Sequence, residues 1–152
     1  MKHIQTDYEI LEYAIDREYE ARQFYLALAE KEKNRALKLL LESLAAEEDE
    51  HAKKLELEMM KIGRVVQPGK KDHWAQKYDA MIEFEDNLNI GYRDIVEMGM
   101  EKEDAAFRTY VNLAGMIHDP NSRQMLLALA EEEVNHKIRW EAEFNELMQN
   151  EP

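Results

Sequence analysis

The sequence predicts an all-α fold, an antiparallel four-helix bundle made of two helical hairpins, and three observations indicate it. Gly and Pro number only 5 and 3 in 152 residues, whereas Glu, Ala, Leu and Lys, which favour helices, are plentiful. Four long segments repeat apolar residues at the spacing of an amphipathic helix. The two halves of the chain also resemble each other at an offset of 85 residues. A chain of 152 residues is long enough to bury the core of a single domain, which is expected over 1–152.

The first hairpin is expected over 6–62. Its first helix covers 6–32, and Asn34 is of a type that caps helix starts, so a second helix follows to the end of the hairpin. The crossover, 63–89, is less regular and contains two Gly and one Pro. Within it the pattern favours only a short helix, around Trp74–Ile82.

The second hairpin is expected over 90–148. A third helix runs from the start of this hairpin to about Ile117. Asp119-Pro120 then places a capping residue before a proline at the first helical position, and the fourth helix continues to the end of the hairpin. Two hairpins joined by one long crossover have the connectivity of ferritin-like bundles.

The face of each helix that is expected to point inward is apolar or aromatic, except at one position along the helix, where Glu or Glu-x-x-His interrupts it. The expected interior residues are Leu11, Ala14, Glu18, Ala21, Tyr25, Leu28; Leu37, Leu41, Leu44, Glu48, His51, Leu55; Val96, Gly99, Glu103, Ala106, Tyr110, Leu113; and Leu126, Leu129, Glu133, His136, Trp140, Phe144.

The interrupting residues occupy matching positions of the internal repeat. Comparing 10–60 with 95–145 gives fifteen identities, and in both halves Glu-x-x-His begins thirty residues after the first Glu. The midpoint of that interval is residue 33 in one half and 118 in the other, beside the predicted turns. Residues equidistant from the turn of an antiparallel hairpin lie at one height, here about 22 Å from each turn at 1.5 Å per residue. The sequence thus predicts four Glu and two His at one level, namely Glu18, Glu48, His51, Glu103, Glu133 and His136.

Four buried carboxylates are costly without compensation. Each isolated buried ion is disfavoured by several kcal/mol, and like charges a few ångströms apart resist joint ionisation. Two divalent cations would neutralise four carboxylates, and the two imidazoles would complete the coordination. Glu-x-x-His suits this because positions i and i+3 share a helix face. The residues therefore predict a pair of metal ions; the alternative is a polar layer that fixes helix register, a task for which one Asn suffices.

The segments around these residues also carry a family resemblance. EYEARQFY at 18–25, EEDEH at 47–51, EDAAFRTY at 103–110, EEEVNH at 131–136 and HKIRWEAEF at 136–144 resemble the rubrerythrin-like branch of the ferritin-like superfamily. The resemblance covers nearly the whole chain apart from the crossover. It implies that the six residues are ligands of two iron ions, with Glu48 and Glu133 as candidate bridges between them.

The chain departs from that family's pattern in two respects. Full rubrerythrins add a cysteine-rich rubredoxin module, and this sequence has no cysteine, so an external electron-donor protein, such as a rubredoxin, is expected. Many rubrerythrins carry a further Glu three residues after the third-helix ligand, where this chain has Ala106. The ligand exchange linked to that Glu, and with it a typical peroxidase cycle, is therefore not implied.

The resemblance implies a non-haem di-iron oxidoreductase that reduces H2O2 or O2, in the manner of a peroxidase or ferroxidase. The alternatives are a non-catalytic protein of iron binding, storage or delivery, and a structural bundle with an incidental metal. Manganese or a mixed pair of metals would accept similar ligands.

Several further residues have less specific patterns. Tyr25 and Tyr110 are expected in the core, with hydrogen bonding to the ligand carboxylates or radical chemistry as the functional alternatives. Trp140 is expected to pack in the core. The remaining histidines, His3, His73 and His118, are expected at the surface.

Charge and composition limit the partners. A formal net charge of −13 argues against nucleic acid and against anionic membranes. The N-terminal residues lack an apolar signal core, and the absence of cysteine fits a reducing compartment, so a cytoplasmic protein is expected. A homodimer is also expected, with the crossover packed along its own bundle or exchanged between subunits.

Overall fold

A computed structural model describes residues 6–63 and 91–150 of the chain. They form four helices, α1 (Asp7–Lys31), α2 (Arg35–Lys61), α3 (Tyr92–Met116) and α4 (Pro120–Asn150). The chain divides into two compact units, of which the first contains α1 and α2 and the second α3 and α4. The short helix predicted in the crossover lies outside the described residues, and the single-domain organisation stays a prediction.

Side chains cap both helices of the first hairpin, of which only the Asn34 cap was predicted. Before α1, the Glu9 amide donates to Thr6 Oγ1 over 3.1 Å, and the Thr6 amide donates to Glu9 Oε1 over 2.9 Å. This reciprocal pair satisfies two amides that lack a partner inside the helix. Before α2, the Leu37 amide donates to Asn34 Oδ1 over 3.0 Å, which confirms Asn34 as the cap.

The second hairpin has the predicted start of α4. The Ser122 amide donates to Asp119 Oδ2 over 2.8 Å, and Pro120 is the first helical residue. Two ends differ slightly from the expectation. The helix α3 begins at Tyr92 because Gly91 takes the capping position, with its amide donating to Asp94 Oδ2 over 3.3 Å, and α4 continues to Asn150.

The same contact closes the turn of both hairpins. Lys38 Nζ donates to the Ala29 carbonyl over 2.7 Å, and Arg123 Nε donates to the Ala114 carbonyl over 3.0 Å. The two pairs are related by the 85-residue repeat. In each, a basic side chain from the start of one helix satisfies a carbonyl at the end of the preceding helix. Both turns are thus held at the positions that the register argument requires.

The predicted interior faces are buried. Every residue expected on these faces is buried, apart from Ala21, Ala106 and Phe144, which are half-buried. Trp140 is the largest fully buried side chain of the described residues, which confirms its expected place in the core. Across 6–63 and 91–150, no helix has both the length and the apolar character needed to cross a membrane.

Candidate metal centre

The first hairpin brings together Glu18 from α1 with Glu48 and His51 from α2, which we call the first triad. His51 Nδ1 lies 3.5 Å from Glu18 Oε2 and 3.2 Å from Glu48 Oε1. All three side chains are buried, with 1% of each residue exposed. The contact across the two helices confirms that Glu18 and the Glu-x-x-His segment lie at one height in this hairpin.

The second hairpin repeats this arrangement with Glu103 from α3 and with Glu133 and His136 from α4, the second triad. His136 Nδ1 lies 2.9 Å from Glu103 Oε2 and 3.0 Å from Glu133 Oε1. These residues are likewise buried. The sequence prediction of equal height therefore holds within each hairpin.

The register explains why each triad forms. The turns fall at 32–34 and 117–119, between the helix ends, and each is centred on the midpoint of its thirty-residue interval. Positions i and i+3 of a helix lie on one face, so the second Glu and the His of each triad point the same way. Because the helices of each hairpin are antiparallel, the remaining Glu meets them from the facing helix.

The donor set of each triad fits a metal ion. Within each triad the nearest ligand atoms lie within 4.8 Å of one another. An imidazole nitrogen carries at most one proton, so it cannot serve two carboxylates equally well as a donor. An ion bound at about 2.1 Å with ligands at right angles separates neighbouring ligand atoms by about 3 Å. The nitrogen-to-oxygen distances of the second triad, 2.9 and 3.0 Å, match this separation, and those of the first triad, 3.5 and 3.2 Å, lie somewhat above it.

Outside the first triad the hairpin carries a polar network that the sequence pattern did not reveal. The Tyr19 hydroxyl donates to Glu56 Oε2 over 2.7 Å, and burial together with this bond raises the pKa of Tyr19 well above its ordinary value. Arg22 Nε lies 3.4 Å from Asp49 Oδ1, and Lys53 Nζ lies 2.9 Å from Asp49 Oδ2. Tyr19 and Asp49 each adjoin a triad residue in sequence. These contacts therefore join α1 to α2 beside the first triad.

A different network lies beside the second triad. Asp104, next to Glu103, accepts from Arg108 Nη2 at 2.7 Å and lies 3.4 Å from Lys137 Nζ, which adjoins His136. This ion pair joins α3 to α4 beside the ligands. The repeat thus preserves the triads and changes their surroundings, since the position related to Asp104 is Tyr19 and the position related to Lys137 is Ala52.

The other candidate residues take up the places expected for core or surface. Tyr25 and Tyr110 are buried, as predicted; their hydrogen bonding to ligand carboxylates stays a prediction. His118 is exposed, as predicted. His3 and His73 lie outside the described residues.

Comparison with known proteins identifies both the family and the fold of this chain. A family model described as Rubrerythrin matches residues 9–144. Among solved structures, a hypothetical protein from Pyrococcus furiosus is similar, with 24% identity and a TM-score of 0.69 over 97% of this chain and 93% of the other. This similarity establishes the fold alone, and it confirms the predicted ferritin-like four-helix bundle. No curated protein matches the sequence.

Proposed function

Because the chain belongs to the rubrerythrin family, we propose that each of its two triads binds one iron ion and that the bound iron reduces hydrogen peroxide or O2. The observation that carries this proposal is the burial of Glu, Glu and His at one height in each hairpin, with the imidazole nitrogen between two carboxylates. Manganese would accept the same ligands, but carboxylate-rich sites suit iron that alternates between Fe(II) and Fe(III).

Charge supports two ions rather than one. The six residues contribute four carboxylates, and burial makes each uncompensated charge cost several kcal/mol. Two divalent ions balance four negative charges. One ion would leave a net charge of −2 on buried groups. We therefore assign one ion to each triad.

The protein's own residues have three tasks in this function. The carboxylates and imidazoles would bind the ions. The apolar residues that precede and follow each ligand on the interior face, among them Leu44 and Leu129, exclude water from the site. The methyl side chains of half-buried Ala21 and Ala106, one helical turn from Glu18 and Glu103, leave room beside the ligands for a bound oxidant. Bound iron would supply the electrons, one from each ion.

A catalytic cycle also needs a source of electrons to reduce the oxidised site again. The 152 residues contain no cysteine and hence no thiolate to hold an iron–sulfur centre or a rubredoxin-type iron. We propose that a separate electron-donor protein of the rubredoxin kind reduces the oxidised site.

Peroxide consumption by protein purified and loaded with Fe(II) in the absence of oxygen tests the proposal. Reduction of one H2O2 takes two electrons and two protons and gives two waters, so one H2O2 should oxidise two Fe(II) in each chain. Glu48→Gln and Glu133→Gln should abolish this reaction. Glu50→Gln and Glu131→Gln, exposed residues on the same helices, should preserve it.

Two outcomes would overturn the assignment. If the Glu48→Gln and Glu133→Gln proteins consumed peroxide as fast as the controls, the triads would not be the reaction site. If the native chain took up many irons and released them without consuming peroxide stoichiometrically, the function would be iron storage or delivery.

A further inference from the structure

The two triads are related by the repeat, but their geometry differs. The imidazole nitrogen lies 2.9 and 3.0 Å from its carboxylates in the second triad, and 3.5 and 3.2 Å in the first. In the second triad, therefore, the three donor groups are already gathered at the separation that a bound ion requires. In the first triad the same distances are longer, so we expect His51 and Glu18 to approach each other when an ion binds.

The residues one helical turn from the ligands also differ between the hairpins. Beside the second triad are Gly99, four residues before Glu103, and Trp140, four residues after His136. The corresponding positions of the first hairpin are Ala14 and Leu55, both fully buried. A buried Gly and a fully buried Trp therefore replace a fully buried Ala and Leu at the same place in the repeat.

Gly99 and Trp140 are in close contact. A Cβ atom at position 99 would lie 2.2 Å from Trp140 Cε2 and 2.5 Å from Cδ2, closer than any side chain permits. The indole thus lies directly against the backbone of α3, in a space that exists only because residue 99 has no side chain. Any larger residue there would displace the ring.

The direction of helical side chains places this ring toward the ligands. Side chains in an α-helix lean back toward the N-terminus. The Trp140 ring therefore covers the turn of α4 that contains His136, and the Glu103 side chain leans toward the turn of α3 that contains Gly99. A rigid indole at this place is expected to restrict the rotamers of His136 and Glu103. Leu55 and Ala14 offer less bulk for the same purpose in the first hairpin.

We propose that the second triad binds its divalent metal ion more tightly than the first and fills first, and that Trp140, seated on Gly99, is the positioning residue that produces the difference. This inference rests on the proposed di-metal function. Its physical basis is that a preorganised site loses less conformational freedom on binding. The expected consequence is stepwise loading of two unequal sites with first-row transition metals, with affinities that differ about tenfold or more.

Calorimetry with Co(II) tests the order of binding, since Co(II) replaces Fe(II) without reacting with oxygen under these conditions. The native chain should bind two Co(II) in two steps. His51→Ala should keep the tight step and lose the weak one, whereas His136→Ala should lose the tight step. Fluorescence supplies a local readout: with Trp74→Phe as background, the first equivalent of Co(II) should quench Trp140.

The role of Trp140 is tested by giving the second hairpin the residues of the first. The double substitution Gly99→Ala with Trp140→Leu should weaken the tight step toward the weak one while two ions still bind. Trp140→Phe, which keeps an aromatic ring in the same space, should fall between the double variant and the native chain. Far-ultraviolet circular dichroism checks that each variant retains its helices.

The outcomes separate this inference from the function on which it rests. Two Co(II) bound with equal affinity, or a tight step that survives His136→Ala, would overturn the inference and leave the di-metal function standing. An unchanged difference between the steps in both Trp140 variants would remove Trp140 as its cause. If the native chain bound no metal at all, the proposed function itself would fail.

Discussion

At the scale of single residues, a carboxylate is buried here at the expense of stability. The buried Glu133 shares one imidazole with a second carboxylate: His136 Nδ1 lies 3.0 Å from Glu133 Oε1 and 2.9 Å from Glu103 Oε2. We expect Glu133→Gln to raise the free energy of unfolding of the metal-free protein by about 1 kcal/mol or more, because it removes a buried charge and keeps the shape. Chemical denaturation in a chelator measures this.

The matched substitution Glu131→Gln, at an exposed site on the same helix, should leave that free energy within about 0.5 kcal/mol of the native value. With metal present the order should reverse, and the Glu133→Gln protein should be the less stable of the two. A Glu133→Gln protein that is destabilised with and without metal would argue for a structural carboxylate.

Tyr19 provides a second test at this scale. Its hydroxyl donates to Glu56, and burial with this bond raises the phenol pKa. Tyr19→Phe should lower the free energy of unfolding by about 1 kcal/mol at neutral pH, the usual net value of one hydrogen bond. Because the folded-state pKa is the higher one, the contribution of Tyr19 is complete below its ordinary pKa of 10.0 and is lost as pH rises through the folded value.

Absorbance of the phenolate near 295 nm checks the direction of this shift. The difference between the native and Tyr19→Phe proteins should show no phenolate from Tyr19 at pH 10, where an ordinary tyrosine is half ionised. A Tyr19 that ionised with the exposed tyrosines would contradict the buried hydrogen bond.

The sequence predicted the triads because one residue type broke a regular apolar pattern at equal distances from two turns. It did not predict the contact of Trp140 with Gly99 or the bond of Tyr19 to Glu56. Both depend on how far a large side chain reaches across to the facing helix, and heptad spacing carries no information about reach. The signal available in advance was the repeat, which pairs Gly99 with Ala14 and Trp140 with Leu55.

At the scale of elements, the turns set the register on which each triad depends. Asp119 caps α4 by accepting from the Ser122 amide, and Arg123 fastens α4 to the end of α3. We expect Asp119→Ala to lower the free energy of unfolding by about 1 kcal/mol, as a lost N-cap does. For a chain of this size the melting temperature should fall by about 2–4 °C.

Asn121→Ala, at an exposed neighbouring position, serves as the control and should leave the melting temperature nearly unchanged. Equal effects of the two substitutions would mean that the cap contributes nothing.

The helix starts capped by Asn34 and Asp119 were predictable because a capping residue type stood at each. The predicted start of α3 was two residues too early because Gly91 gives a weaker signal.

At the scale of the whole molecule, this acidic protein has buried carboxylates that we expect cations to balance. A ligand that binds only the folded state at 100 times its dissociation constant adds about 2.7 kcal/mol to stability. Addition of Fe(II) or Mn(II) without oxygen should therefore raise the melting temperature by several degrees, and a chelator should reverse the gain. Calorimetric scans measure it, with Na⁺ at equal ionic strength as the control for screening of the −13 net charge.

A rise of equal size with Na⁺ would mean that general screening, rather than a bound ion, stabilises the fold.

The helical content, the two hairpins and the family were all predictable from the sequence at this scale. The homodimer, the electron donor and the cytoplasmic location stay predictions, because each concerns a surface or a partner that internal spacing does not encode.

Native mass spectrometry of protein purified without oxygen and loaded with Fe(II) tests the central claim most directly. We predict two irons in each chain, fewer than two when either His51 or His136 is replaced by Ala, and two when exposed His118 is replaced in the same way. A native chain that carries no iron, or a chain that still carries two after both buried histidines are replaced, would contradict the account.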